Sequence, residues 1–115
     1  MNRINTILEK ERTNTDNIFL YLQEGRFTAF GRSAYYAALL CPKLAVNWSR
    51  TDAAGSFVCI RIPDDRLRSL LEKYSTLADD ECIRITPPLN ICRQWDYFAE
   101  WEERQLYLAS KIDIE

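Results

Sequence analysis

"LQEGRFTAFGRSA" (Leu22–Ala34) places Arg26, Phe27 and Phe30 between two glycines, directly after the apolar run "IFLYL" (Ile18–Leu22). The run is short, aromatic and aliphatic, and reads as a buried strand. Gly25 allows a tight turn. "RFTAF" (Arg26–Phe30) then alternates, with Arg26, Thr28 and Phe30 on one face and Phe27 and Ala29 on the other. The stretch is therefore a hairpin whose return strand breaks at Gly31. Ser33 is placed to N-cap the helix "AYYAALLC" (Ala34–Cys41), which stops at Pro42.

Outward from this hairpin, Ile4, Ile7 and Leu8 have helical spacing, so residues 1–12 predict a short helix, and "TNTDN" (Thr13–Asn17) is turn chemistry. "LAVNW" (Leu44–Trp48) predicts a strand, "SRTDAAG" (Ser49–Gly55) a loop, and "SFVCIRI" (Ser56–Ile62) the clearest strand, ended by Pro63. "DDRLRSLLEKYSTL" (Asp64–Leu77) is an amphipathic helix with Leu67, Leu70, Leu71 and Tyr74 on one face. "ECIRI" (Glu81–Ile85) is a further strand, which the prolines of "TPPLN" (Thr86–Asn90) cannot continue. The last helix spans 93–112. Tyr97, Phe98, Trp101, Leu108 and Ile112 form its apolar stripe, and Asp96, Glu100, Glu102, Glu103 and Arg104 its wet side. The pattern carries no repeat. It predicts one α/β or α+β domain over residues 1–115, with a mixed sheet of about five strands flanked by helices.

Composition limits the chemistry. The chain has 115 residues, 47% of them apolar, and a net charge of −2. That suits one packed domain and argues against a dedicated polyanion binder. The polar start has no signal-peptide pattern, and no apolar run is long enough to cross a bilayer, so the expected location is the cytoplasm with no membrane partner. There Cys41, Cys59, Cys82 and Cys92 are expected as thiols. They are widely spaced, and the chain has no histidine, so no metal site and no cofactor is expected. The missing histidine also removes Ser-His and Cys-His nucleophile arrangements. Three glycines, at 25, 31 and 55, make no phosphate loop. Asp64 and Asp65 could hold Mg²⁺ for a hydrolase, but a helix N-terminus explains them better. The expectation is a protein that is not an enzyme.

Two stretches together resemble the N-terminal mismatch-recognition domain of the MutS family. "LYLQEGRFTAFGRSA" follows the course of the family's strand, "GDFYEAFGEDA"-like segment and helix, with Ala29, Phe30, Gly31 and Ala34 on matching residue types. "FVCIRIPDDRLRSLLEKYSTLADDECIRIT" (Phe57–Thr86) follows the family's strand, "GVP"-like turn, Leu-rich helix and strand, with Pro63 in the matching place. The resemblance covers about residues 17–86, with the last helix appended. It implies a MutS-like domain engaged with DNA or RNA. In the family, the Phe of a Phe-x-Glu motif stacks on an unpaired base and the Glu hydrogen-bonds it. Here Arg26 and Thr28 occupy those positions with Phe27 between them, and a shifted register does not restore the motif. Mismatch reading in mismatch repair is therefore not implied. Stand-alone domains of this kind occur as accessory proteins beside retroelement reverse transcriptases, so such an enzyme is an implied partner.

Two readings follow. In one, Arg26, Phe27, Thr28 and Arg32 contact nucleic acid, with cation and aromatic groups side by side. Arg32 would meet phosphate at a helix N-terminus, though a solvated charge explains it as well. Between Gln23 and Ile62 five basic residues face two acidic ones, a local excess of +3 that would orient this contact. In the other reading Tyr97, Phe98 and Trp101 form a protein-binding face, for a homodimer or another partner, with no nucleic-acid role. Core packing is the plainer explanation of that stripe.

Overall fold

The computed structural model describes residues 3–52, 55–78 and 82–114, with side chains up to residue 108 in the last helix. The first helix, α1 (Arg3–Glu11), turns Ile4, Ile7 and Leu8 inward. Strands β1 (Ile18–Gln23) and β2 (Arg26–Phe30) form the hairpin read from the sequence. Its two-residue loop holds both Glu24 (φ +52°) and Gly25 (φ +78°) in the left-handed region, as a type I′ turn requires. Helix α2 (Gly31–Leu40) follows without a loop. Strands β3 (Asn47–Thr51) and β4 (Gly55–Arg61) form a second hairpin. Helix α3 (Asp64–Lys73) begins after Pro63, with Asp64 and Asp65 in its first turn and Lys73 in its last, both matched to the helix dipole. Strands β5 (Ser75–Ala78) and β6 (Cys82–Thr86) pair antiparallel. A short α4 (Leu89–Cys92) and a 3-10 turn (Trp95–Tyr97) lead into α5 (Phe98–Ile114).

The strands form one sheet in the order β3-β4-β2-β1-β6-β5, and every pairing is antiparallel. The class is α+β. This corrects the expectation of a mixed sheet of about five strands. Three antiparallel pairs, β1–β2, β3–β4 and β5–β6, line up in one alternating sheet, and the sixth strand comes from residues assigned by pattern to a helix. The apolar period of that helix stops at Tyr74, and Ser75–Ala78 pair instead with β6, with Ser75 opposite Thr86. Strand β3 lies three residues later than expected. Leu44 is buried and its N–H bonds the Cys41 carbonyl, while Asn47, Ser49 and Arg50, with the exposed Trp48 among them, take the sheet edge.

Alternation gives the sheet two different faces. Ile18, Leu20, Ala29, Ile60, Ile62, Ile83 and Ile85 point to the larger core, under Ala34, Tyr35, Tyr36 and Ala37 of α2. Phe98 and Trp101 pack against the same core, with ring centroids 6.0 and 5.3 Å from Tyr35. The last helix is therefore part of the domain, not an appendage. On the other face Tyr21, Phe30 and Phe57 meet Ile7, with Phe19, Ile4 and Leu8 at the margin. Among the described residues the short α1 is the helix that packs on this side.

Candidate nucleic-acid interface

The register places functional side chains on the α1 face in cross-strand rows. One row runs Arg61–Thr28–Tyr21–Cys82 and the next Cys59–Phe30–Phe19–Arg84. Arg61 and Arg84 are exposed and stand three strand spacings apart, about 14 Å across the sheet, and one row apart along it, so each would meet its own phosphate. Arg26 is exposed at the β1–β2 turn on the same face. Arg3 lies at the start of α1 and donates to the Leu22 carbonyl at 3.0 Å. Arginines thus surround the small aromatic core.

A groove of about 180 Å³ opens beside α1. Phe30, Phe57 and Cys59 make its floor, and Thr28, Ser49 and Arg61 its polar wall. Gln23 lines the turn end and keeps its side-chain Nε2 buried with no hydrogen-bond partner. The Thr28 hydroxyl has only a long 3.4 Å bond to the Arg26 carbonyl. Burial raises the pKa of the Cys59 thiol, and Arg61 partly offsets this. The floor is therefore apolar and uncharged.

A buried polar network fixes α1 beside this groove. Glu11, only 3% exposed, accepts from the Ser33 N–H at 2.7 Å, the Ser33 hydroxyl at 2.7 Å and Asn14 Nδ2 at 3.0 Å. Ser33 Oγ in turn accepts from the Phe19 N–H at 2.9 Å. Burial raises the Glu11 pKa; the bonds from Asn14 and Ser33, and the Arg32 charge, pull the other way. The carboxylate caps the first turn of α2 from outside. Ser33 is therefore the third residue of that helix rather than its N-cap. Gly31 (φ +54°) permits this close approach, since a Cβ there would stand 3.0 Å from the Glu11 Cβ.

The residues proposed from sequence are not all gathered here. Arg26 and Thr28 share this face, Thr28 buried in the groove wall. Phe27 points to the opposite side and packs against the larger core. Arg32 lies at the other end, its guanidinium 5.7 and 5.5 Å from the Trp95 and Phe98 ring centres and its Nε buried without a partner. It is a stacked, half-buried cation and not a solvated one. Glu102, expected on the wet side, is half-buried; burial raises its pKa and Arg32 counters that. Phe98 and Trp101 serve the core, whereas Tyr97 is 58% exposed. Ile112 of the expected stripe lies outside the described side chains.

Sequence reasoning missed Gln23, Arg61 and Arg84 as a set. The signal was present: "CIRI" occurs twice, as Cys59–Ile62 and Cys82–Ile85. In each copy the isoleucines enter the larger core, and Cys and Arg take the α1 face. The described residues contain no group of three or more His, Cys, Asp or Glu placed to hold a metal ion. No helix among them is long and apolar enough to cross a membrane. This chain matches no protein family, no curated protein and no solved structure.

Proposed function

We propose that this protein is a non-catalytic accessory module that contacts DNA or RNA through the α1 face of its sheet. The observation that carries this reading is the common placement of Arg26, Arg61 and Arg84 on one face of the sheet, Arg61 in the wall of the groove, on a chain whose overall charge is negative. Local positive charge on a net acidic protein gives oriented, salt-sensitive contact rather than general polyanion binding. The resemblance to the MutS N-terminal domain supports the same role. The absence of Phe-x-Glu from Arg26–Thr28 separates it from mismatch reading. A nucleic-acid enzyme such as a reverse transcriptase is a partner of matching chemistry.

The test is binding of labelled DNA and RNA by fluorescence anisotropy between about 50 and 200 mM salt. Affinity should fall steeply with salt. Arg61→Ala and Arg84→Ala should each reduce the slope of log K against log salt by about one. Binding that ignores salt and both substitutions would sink the proposal.

A second reading rests on Leu89, Trp95 and Tyr97, which are 64%, 45% and 58% exposed around the turn before α5. Large exposed apolar groups in one segment suit a protein partner or a second copy. This reading moves the contact away from Trp101. Loss of partner capture in Tyr97→Ala, with Arg61→Ala behaving as wild type, would favour it.

A further inference from the structure

The two edges of the sheet are β3 and β5. An edge strand presents unpaired N–H and C=O groups and is a template for a further strand. In β5 the side chains of Ser75–Ala78 are all exposed, but they offer a partner nothing specific. Strand β3 differs. Asn47, Trp48, Ser49 and Arg50 are all exposed, and they include a tryptophan and the strand's one charge. Trp48 lies opposite Val58 and Arg50 opposite Ser56, so both stand on the α2 side of the sheet, the side of Ile60. Ser49, between them, lies opposite Phe57 and stands on the α1 side. The tryptophan is 39% exposed although it sits beside a core strand. An aromatic face and a cation thus lie two residues apart on one side of an open edge.

We propose that β3 pairs antiparallel with β3 of a second copy of this chain, about a two-fold axis at Ser49. That register sets Ser49 opposite the partner's Ser49, Asn47 opposite the partner's Thr51, and Trp48 opposite the partner's Arg50. Opposed side chains of an antiparallel pair lie on the same side of the sheet with Cβ atoms about 4.5–5.5 Å apart. Each guanidinium then lies against an indole, and symmetry makes the contact twice. The two Arg50 side chains are diagonal rather than opposed, so the charge does not guard the edge against its own copy. The strand is its own complement, which selects a second copy over an unrelated protein. Pairing of this kind doubles the six-stranded sheet and turns both α1 faces the same way. A contact made by that face is then made twice. The dimer itself does not depend on nucleic acid.

Sedimentation equilibrium of the full chain from about 10 to 500 µM reads the assembly, because one strand pair buries less than the roughly 1,200–2,000 Å² of a standard interface and the dimer is weak. A monomer–dimer equilibrium is expected. Trp48→Lys sets like charges opposite each other and should weaken it about tenfold or more; adding Arg50→Glu should restore it through two Lys–Glu pairs. Tyr97→Ala, in the other exposed apolar segment, should leave it unchanged. Ser49→Cys should give a disulfide-linked dimer on oxidation with diamide, at a yield that wild type, with its four thiols, does not reach. The Cα spacing of an antiparallel pair, about 4.5–5.5 Å, suits a disulfide. A monomer at every concentration, or a dimer that Trp48→Lys leaves intact, would overturn the pairing. So would a double variant that stays monomeric, or a Ser49→Cys chain that crosslinks no more than wild type. If Trp48→Lys lowers the melting temperature by more than about 5 °C, the disulfide yield alone decides. None of these outcomes touches the salt-dependent binding that tests the nucleic-acid reading.

Discussion

The two faces of this sheet come from the same strands and are built to different ends. On the α2 face the four inner strands contribute aliphatic side chains, and Ile18, Leu20, Ala29, Ile60 and Ile85 are fully buried. On the α1 face the same strands alternate aromatic residues with Thr28, Arg61 and Arg84, and a nine-residue helix covers only the centre. Apolar area removed from water is the main favourable term in folding. The α2 face supplies most of it. The α1 face keeps polar groups where a purely structural sheet would place more apolar ones, and so is the face available for binding.

Substitutions in adjacent residues of β1 test this division most strongly. Leu20→Ala, in the larger core, should cost about 3 kcal/mol, the range for a buried leucine with a cavity left behind. Phe19→Ala, its neighbour on the α1 face, removes a larger side chain from a half-buried site and should cost less, about 1–2 kcal/mol. Urea unfolding of both variants decides the matter, and equal losses would mean that the faces are energetically alike. Gly31→Ala comes next, at about 2 kcal/mol. It combines a left-handed φ with a 3.0 Å approach to Glu11, so the variant must strain the backbone or push α1 away. A melting temperature within a degree or so of wild type would mean that α1 is not held at this point.

How much of this was legible from residues alone differs between the faces. The period-2 alternation of "RFTAF" placed its side chains correctly, because burying one side is the strongest local constraint on a strand. The hairpin followed from Gly25 for a similar reason. Strand β5 was not legible. "STLA" is exposed throughout and is a strand only because β6 offers it hydrogen bonds. The break in the last helix was hidden because Trp95 and Tyr97 fit the helical stripe of Phe98 and Trp101. The candidate site was half legible. Arg26 and Thr28 lie in one turn and strand, whereas the repeated "CIRI" gives Arg61 and Arg84 their face of the sheet, and only sheet order, which no local pattern carries, sets them beside Arg26 and Thr28. Glu11 and Ser33, 22 residues apart, meet for the same reason.

The Glu11 network gives the α1 face a pH response that the α2 face, being aliphatic, lacks. Burial raises the Glu11 pKa above its unfolded value. A carboxyl group shifted this way binds its proton more tightly in the folded state. Its stabilising contribution is therefore fully present below the unfolded pKa and is lost as pH rises through the folded one. Wild-type stability should decline relative to Glu11→Gln, which cannot titrate, as pH rises from the ordinary carboxylate range towards neutrality. Urea midpoints for both proteins across that range give the difference. Parallel curves would mean that the bonds from Ser33 and Asn14 hold the carboxylate charged at no net cost, and α1 would be anchored equally well at every pH tested.

The smallest effect belongs to the turn at the mouth of the groove. Glu24 sits at φ +52°, a conformation that suits asparagine better than glutamate, and the following Gly25 completes a type I′ turn. Glu24→Asn should raise stability by about 0.5 kcal/mol, because asparagine adopts the left-handed region more readily. It also removes a negative charge from the lining of the groove that Arg61 shares. If the α1 face binds nucleic acid, the same variant should bind single strands two- to threefold more tightly at about 50 mM salt and show a smaller gain at about 200 mM, as screening of a surface charge requires. A gain in stability with no change in affinity would make the turn a purely structural device. A gain in affinity that persists at high salt would place Glu24 in direct contact with the ligand, which draws the groove and the arginines around it into one site.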